Sequence, residues 1–176
     1  MTEIVPVGSS DAWSNLQLDL SPSCTYAASE RLVRALEAHA SAEAHDLADC
    51  RDLAQRSDDP YVKLLFDLII DDEQRHQALL ESMVRHLQDG SEAPAMPSFQ
   101  SSGDSAPLSG VEPAAALRDL IRNNHEGARH LRHIGRQDAA VYDGLYSLLL
   151  EAIARDSEKH AVILRFLLAR LERRPS

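Results

Sequence analysis

Glycine is scarce, at 7 of 176 residues, and aromatics make up only 5%. Long β-branched runs are missing as well. A chain so poor in turn residues and strand formers is a weak candidate for a sheet-rich fold. The two cysteines, Cys24 and Cys50, have no metal-motif spacing, and no Cys-x-x-Cys occurs. They fit a reducing compartment and exclude a disulfide scaffold. Positive charge is also short, with 18 Lys and Arg against 28 Asp and Glu, a net charge of −10. That balance argues against nucleic acid or an anionic membrane as the main partner. No apolar run reaches transmembrane length, and Met1–Asp11 has neither a basic region nor an apolar core. The expectation is a soluble cytoplasmic protein. A phosphate-binding glycine loop and a nucleophile elbow are both absent.

What the chain does have is alanine, leucine and helical periodicity, with 44% hydrophobic residues. One domain of this length buries a sizeable core. The most regular stretch has the seam Val62, Phe66, Ile69, Glu73, His76, Leu80, Met83, Leu87. Its steps alternate between four and three residues, which keeps all eight side chains on one stripe. Six are large and apolar, so the stripe faces a core. Glu73 and His76 sit in the middle of it. A buried carboxylate is costly unless something pairs with it.

The spacing predicts helices over about 22–56, 60–88, 112–135 and 139–172. Residues 1–20 read as an extended arm, either docked through Trp13, Leu16, Leu18 and Leu20 on the helices or on a second subunit, or attached only as a loose tail. Ser21-Pro22 and Asp59-Pro60 read as helix starts, and Asp89-Gly90 as a helix end. Ser109 and Glu112 form a candidate capping box, and Asp138 a candidate cap for the fourth helix. The first helix has an apolar stripe of Leu32, Leu36, Leu47, Cys50, Leu53 and Ala54. Glu43 falls at its centre and His39 beside it. The crossover 89–111 is rich in Ser, Pro and Gly. A helix of about 27 residues is about 40 Å long, and twenty extended residues span up to about 65 Å. The crossover can therefore restart the chain at the opposite end. The expected fold is all-α, an antiparallel four-helix bundle over 21–176, made of two helical hairpins joined by the long crossover.

The fourth helix repeats the second. Its seam is Tyr146, Leu150, Ile153, Ser157, His160, Leu164, Leu167, Leu171, each 84 residues after its counterpart. His160 matches His76, Asp156 matches Asp72, and Ser157 stands where Glu73 would be. Tyr142 and Tyr146 read as core-spaced packing residues of that helix. His45, His86, His125, His130 and His133 read as surface or interface residues.

This arrangement resembles the ferritin-like superfamily, especially its bacterioferritin and rubrerythrin branches, over about residues 25 to 172. The resemblance implies two metal ions in the core, held by a Glu from the first helix of each hairpin and Glu-x-x-His from the second. Glu43, Glu73 and His76 supply that set in the first hairpin. By the same resemblance, Asp72 and Asp156 orient a ligand histidine across the bundle. The second hairpin departs from the pattern. His160 is in place, but Ser157 removes a bridging carboxylate. Glu126 matches Glu43 by sequence separation and is expected to face the core as a metal ligand, although periodicity puts Asn124 nearer the centre of the third helix's stripe. The implied cofactor is iron, with manganese or zinc as alternatives. The implied activity is oxidoreduction of oxygen or peroxide. No rubredoxin-type cysteine set is present, so the electron donor would be external. The expected assembly is a homodimer or higher homo-oligomer, with the arm or the third helix as the contact. The other reading is a metal-free bundle, a structural or protein-interaction module in which Glu43, Glu73, His76 and His160 pair with one another.

Overall fold

The computed structural model describes residues 26–89, 111–139 and 141–173. They are helical, with no strand among them. The elements are α1 (Tyr26–Arg56), α2 (Pro60–Asp89), α3 (Pro113–Gln137), a short 3-10 turn (Val141–Gly144) and α4 (Leu145–Glu172). The expectations for the N-terminal arm, the Ser21-Pro22 start, Cys24, Gly90, Ser109 and most of the crossover fall outside the described residues. No described helix is long and apolar enough to cross a membrane.

The helices begin where local chemistry satisfies their free N–H groups. Asp59 Oδ1 accepts the Tyr61 N–H at 2.9 Å, with Pro60 at the first position of α2. Its other oxygen accepts from Arg170 Nη2 at 2.9 Å, tying the end of α4 to the start of α2. Glu112 itself caps α3, its carboxylate accepting the Ala115 N–H at 3.0 Å, with Pro113 following. The capping box had given Glu112 the inner position and Ser109 the cap.

The start of α4 differs more. Asp138 closes α3 rather than opening α4, its N–H reaching Ile134 O at 3.1 Å. The chain then passes through three left-handed residues, Tyr142 (φ 51°), Asp143 (φ 51°) and Gly144 (φ 80°), before α4 starts at Leu145. Two of these carry a Cβ, at a cost of about 1–2 kcal/mol each. Burial of Tyr142 offsets it. Its ring packs 4.8 Å from His86 and 4.9 Å from Tyr146. Periodicity is blind to this turn because Tyr142 is four residues before Tyr146, which is also core spacing in a helix. His86, read as a surface residue, is buried here for the same reason.

α1 packs chiefly on α2, and α3 on α4, with thinner α1–α3 and α2–α4 seams. Arg118 of α3 pairs with Glu172 of α4 at 2.6 Å, and Ser147 Oγ donates to Gly135 O at 2.6 Å at the other end. The core is divided. One apolar cluster includes Leu36, Leu80, Met83, Leu131, Tyr146, Leu150 and Ile153. The other includes Cys50, Phe66, Ile69, Leu117, Leu120 and Leu164. Between them lies a layer of buried polar residues: Glu43, Glu73, His76, Asn124, Ser157 and His160.

Candidate metal centre

Every one of the four helices contributes to the polar layer. Glu43 comes from the middle of α1, and Glu73 and His76 from one turn of α2. Asn124 comes from α3, and Ser157 and His160 from α4. Ligand atoms of Glu43, Glu73 and His76 all lie within 4.8 Å of one another. All three residues are at least nine-tenths buried. Glu43 Oε2, Glu73 Oε2 and His76 Nδ1 have no hydrogen-bond partner among the described residues. Orphaned buried polar atoms are rare and costly. Here three of them share one spot.

The remaining atoms of these side chains are fixed from outside. His39 Nε2 donates to Glu43 Oε1 at 3.1 Å. His160 Nδ1 lies 2.8 Å from Glu73 Oε1 and its Nε2 3.1 Å from Asp72 Oδ2, each within hydrogen-bond distance. His76 Nε2 donates to Asp156 Oδ2 at 3.2 Å. The two histidines are thus held by aspartates of the opposite helix, Asp72 of α2 for His160 and Asp156 of α4 for His76. Lys159 links the two pairs, with Nζ 2.7 Å from both Asp72 Oδ2 and Asp156 Oδ1. Arg75 also pairs with Asp72.

Electrostatics separates the two carboxylates. Burial pushes the Glu43 carboxyl up, and the nearby Glu73 charge adds to it, while His39 pulls the other way. Burial acts upward on Glu73 too, but the hydrogen bond from His160 and the nearby His76 ring outweigh it and hold the carboxyl at about 2. Burial lowers His76, yet its pKa ends above the usual value because Glu73 favours the charged ring.

These residues fit a divalent ion. His76 Nδ1 and Glu73 Oε2 are 3.6 Å apart without a hydrogen bond between them. Two ligands at about 2.1 Å from one ion stand roughly 3.0–3.5 Å apart at ordinary coordination angles. The donor set, two carboxylate oxygens and an imidazole nitrogen, suits Fe(II), Mn(II) or Zn(II). A second ion finds less. Ser157 Oγ is turned back to Ile153 O at 3.1 Å, and Asn124 Nδ2 to Leu120 O at 2.9 Å. Glu126 is exposed. The buried positions of α3 include Leu120, Asn124, Ala128 and Leu131, and Glu126 lies about 200° around the helix from Asn124. Its carboxylate therefore stands outside the polar layer.

Glu126 still borders the site from outside. A cavity of about 460 Å³ opens between α1 and α3, with Glu43, Glu73 and Ser157 among the residues lining it. Glu126, His45 and His130, also lining it, are exposed. Sequence reasoning missed Lys159, although its three-residue spacing from Asp156 is that of a helical ion pair. It also passed over Asp46 and Gly127 on the cavity walls, where no periodic signal marks them. No family model matches the chain, and neither a curated protein nor a solved structure is found similar to it.

Proposed function

We propose that this chain is a ferritin-like metal-binding protein that holds one divalent transition-metal ion, iron or manganese, in its polar layer. The carrying observation is the convergence of Glu43, Glu73 and His76, each buried and each with an unpartnered ligand atom. Those three are the direct ligands, and His160 is the fourth once its Nδ1 proton is released. Asp72, Asp156 and Lys159 hold the two imidazoles in place. The pairing of helix ends, Arg118 with Glu172 and Gly135 with Ser147, supports antiparallel packing of α3 and α4. The long crossover supports the ferritin-like topology.

Bound iron would supply one-electron redox chemistry toward oxygen or peroxide, fed by an external donor. The protein's part is to keep the ion between two apolar clusters, to fix its ligands from behind, and to leave the α1–α3 side open. With Ser157 in place of a bridging carboxylate, one ion per chain is the expected load. Plasma mass spectrometry on protein reloaded anaerobically with Fe(II) tests this. About one equivalent, lost in Glu73→Ala, supports the proposal, and no bound metal in a folded protein overturns it. The metal-free reading has one observation in its favour: Glu73 Oε1 already takes a short hydrogen bond from His160. A melting temperature that ignores both Fe(II) and chelator would favour it.

A further inference from the structure

The α1–α3 cavity is larger than oxygen or peroxide requires. A water-sized molecule occupies about 30 Å³, and this chamber holds about 460 Å³. That is the size of an organic ligand pocket. Small residues keep it open, Ala38 and Ala42 on α1 and Gly127 on α3. Gly127 is inside a helix, where glycine costs about 1 kcal/mol relative to alanine. A Cβ there would come within 3.3 Å of His39 Cε1. The glycine gives the His39 ring its place in the wall.

The lining is charged in one sense. Four carboxylates border the cavity, Glu43, Asp46, Glu73 and Glu126, and neither a lysine nor an arginine does. A divalent ion neutralises Glu43 and Glu73. Asp46 on α1 and Glu126 on α3 then remain on facing walls. Asp46 accepts from Asn123 Nδ2 at 2.8 Å, and Glu126 has no ion-pair partner among the described residues. Burial and the neighbouring His39 and His133 hold His130, which also borders the cavity, below its usual range. Burial raises Asp46 to about 6, so it is mostly ionised at neutral pH. Glu43 Oε2 and Glu73 Oε2, buried and unpartnered, form the floor.

We propose that this cavity binds a small aliphatic amine beside the metal ion, its ammonium group held by Asp46 and Glu126. The inference deepens the metal reading and rests on it, since the ion occupies the two inner carboxylates. Charge-assisted hydrogen bonds to a carboxylate pair select an ammonium over a neutral or anionic molecule of equal size.

Calorimetric titration of the Zn(II)-loaded, redox-silent protein tests it with three probes of similar length: 1,4-diaminobutane, 1,4-butanediol and succinate. The expected result is saturable diamine binding, one per chain, at least tenfold tighter than the diol, with no succinate binding. Asp46→Asn and Glu126→Gln should each weaken the diamine at least tenfold while zinc content stays unchanged. Glu126 is exposed, so its variant keeps the fold even if Asp46→Asn loosens it. Equal binding of diol and diamine overturns the proposal. So does unweakened binding in Glu126→Gln, or release of zinc by the diamine. If the chain takes no metal at all, the metal reading fails separately. The same titration of the unloaded protein then decides: diamine binding that Glu126→Gln weakens keeps the cavity as an amine site, and no binding overturns it.

Discussion

Replacing Glu43 with Gln should raise the stability of the metal-free protein and take away most of what metal adds. In the free protein, Glu43 Oε1 is satisfied by His39, but Oε2 is buried with nothing to bond. Burial and the Glu73 charge raise its pKa. A carboxyl raised above its unfolded value gives stability that is present below about 4.5 and lost as pH rises through the folded value. At pH 7 the residue is therefore a liability. Gln keeps an oxygen for His39 and offers an amide hydrogen toward the Glu73 carboxylate. Relief of an unsatisfied buried group is on the order of 2 kcal/mol, or about 4–8 °C in Tm for a domain of this size. Metal offsets that gain. At a free ion concentration of about 100 Kd, wild type gains about 2.7 kcal/mol. If losing the ligand weakens affinity about 100-fold, the variant gains only about 0.4 kcal/mol. Differential scanning calorimetry with and without Mn(II) measures all four states. A lower Tm in the metal-free variant, or a metal-induced shift as large as in wild type, would refute the reasoning.

Three further outcomes are expected. Glu73 is held at about 2 against an ordinary glutamate value of about 4.5, so it contributes roughly 3 kcal/mol to the metal-free protein, present above about pH 5 and lost as pH falls toward 2. Circular dichroism during acid titration should show Glu73→Gln unfolding with a shallower pH dependence over that window; an unchanged slope would count against the His160–Glu73 pairing. Ser157→Glu should move the metal load from about one toward two equivalents while lowering the metal-free Tm, because it adds a buried carboxylate where the hydroxyl bonds only Ile153 O. Tyr146→Phe removes a buried hydrogen bond to Met83 O of 3.3 Å and should cost about 1 kcal/mol, read by urea denaturation with an unchanged m-value.

The helices were legible because their seams are long and regular. Glu73 and His76 stood out as polar residues at apolar positions, and both are buried. Glu43 and His160 were legible for the same reason, one from a stripe and the other from an 84-residue repeat. Turns were less legible. The left-handed run at Tyr142, Asp143 and Gly144 keeps helical spacing in its side chains while breaking the helix in its backbone, so periodicity carries the helix straight through it. Glu126 shows a different limit. Sequence separation placed it opposite Glu43 and face geometry placed it outside; the helix obeys its face. The cavity walls at Asp46, Asn123 and Gly127 depend on how far α1 stands from α3, a spacing that no single helix encodes.

The crossed pairs between α2 and α4 also set an order of events. The α1–α2 half of the chain brings Glu43, Glu73 and His76, but the aspartate that aims His76 arrives on α4. The α3–α4 half brings His160, whose aim depends on Asp72 of α2. Neither half alone has an oriented pair of imidazoles. On the proposed metal reading, a growing chain carries an unfinished site until its last helix docks, and ion capture would follow assembly rather than nucleate it. An ion held by Glu43, Glu73 and His76, with His160 as the fourth ligand, would join both halves, and its release would be tied to their separation. Metal off-rates would then report on the opening of the α2–α4 seam, a motion that stability at equilibrium does not isolate.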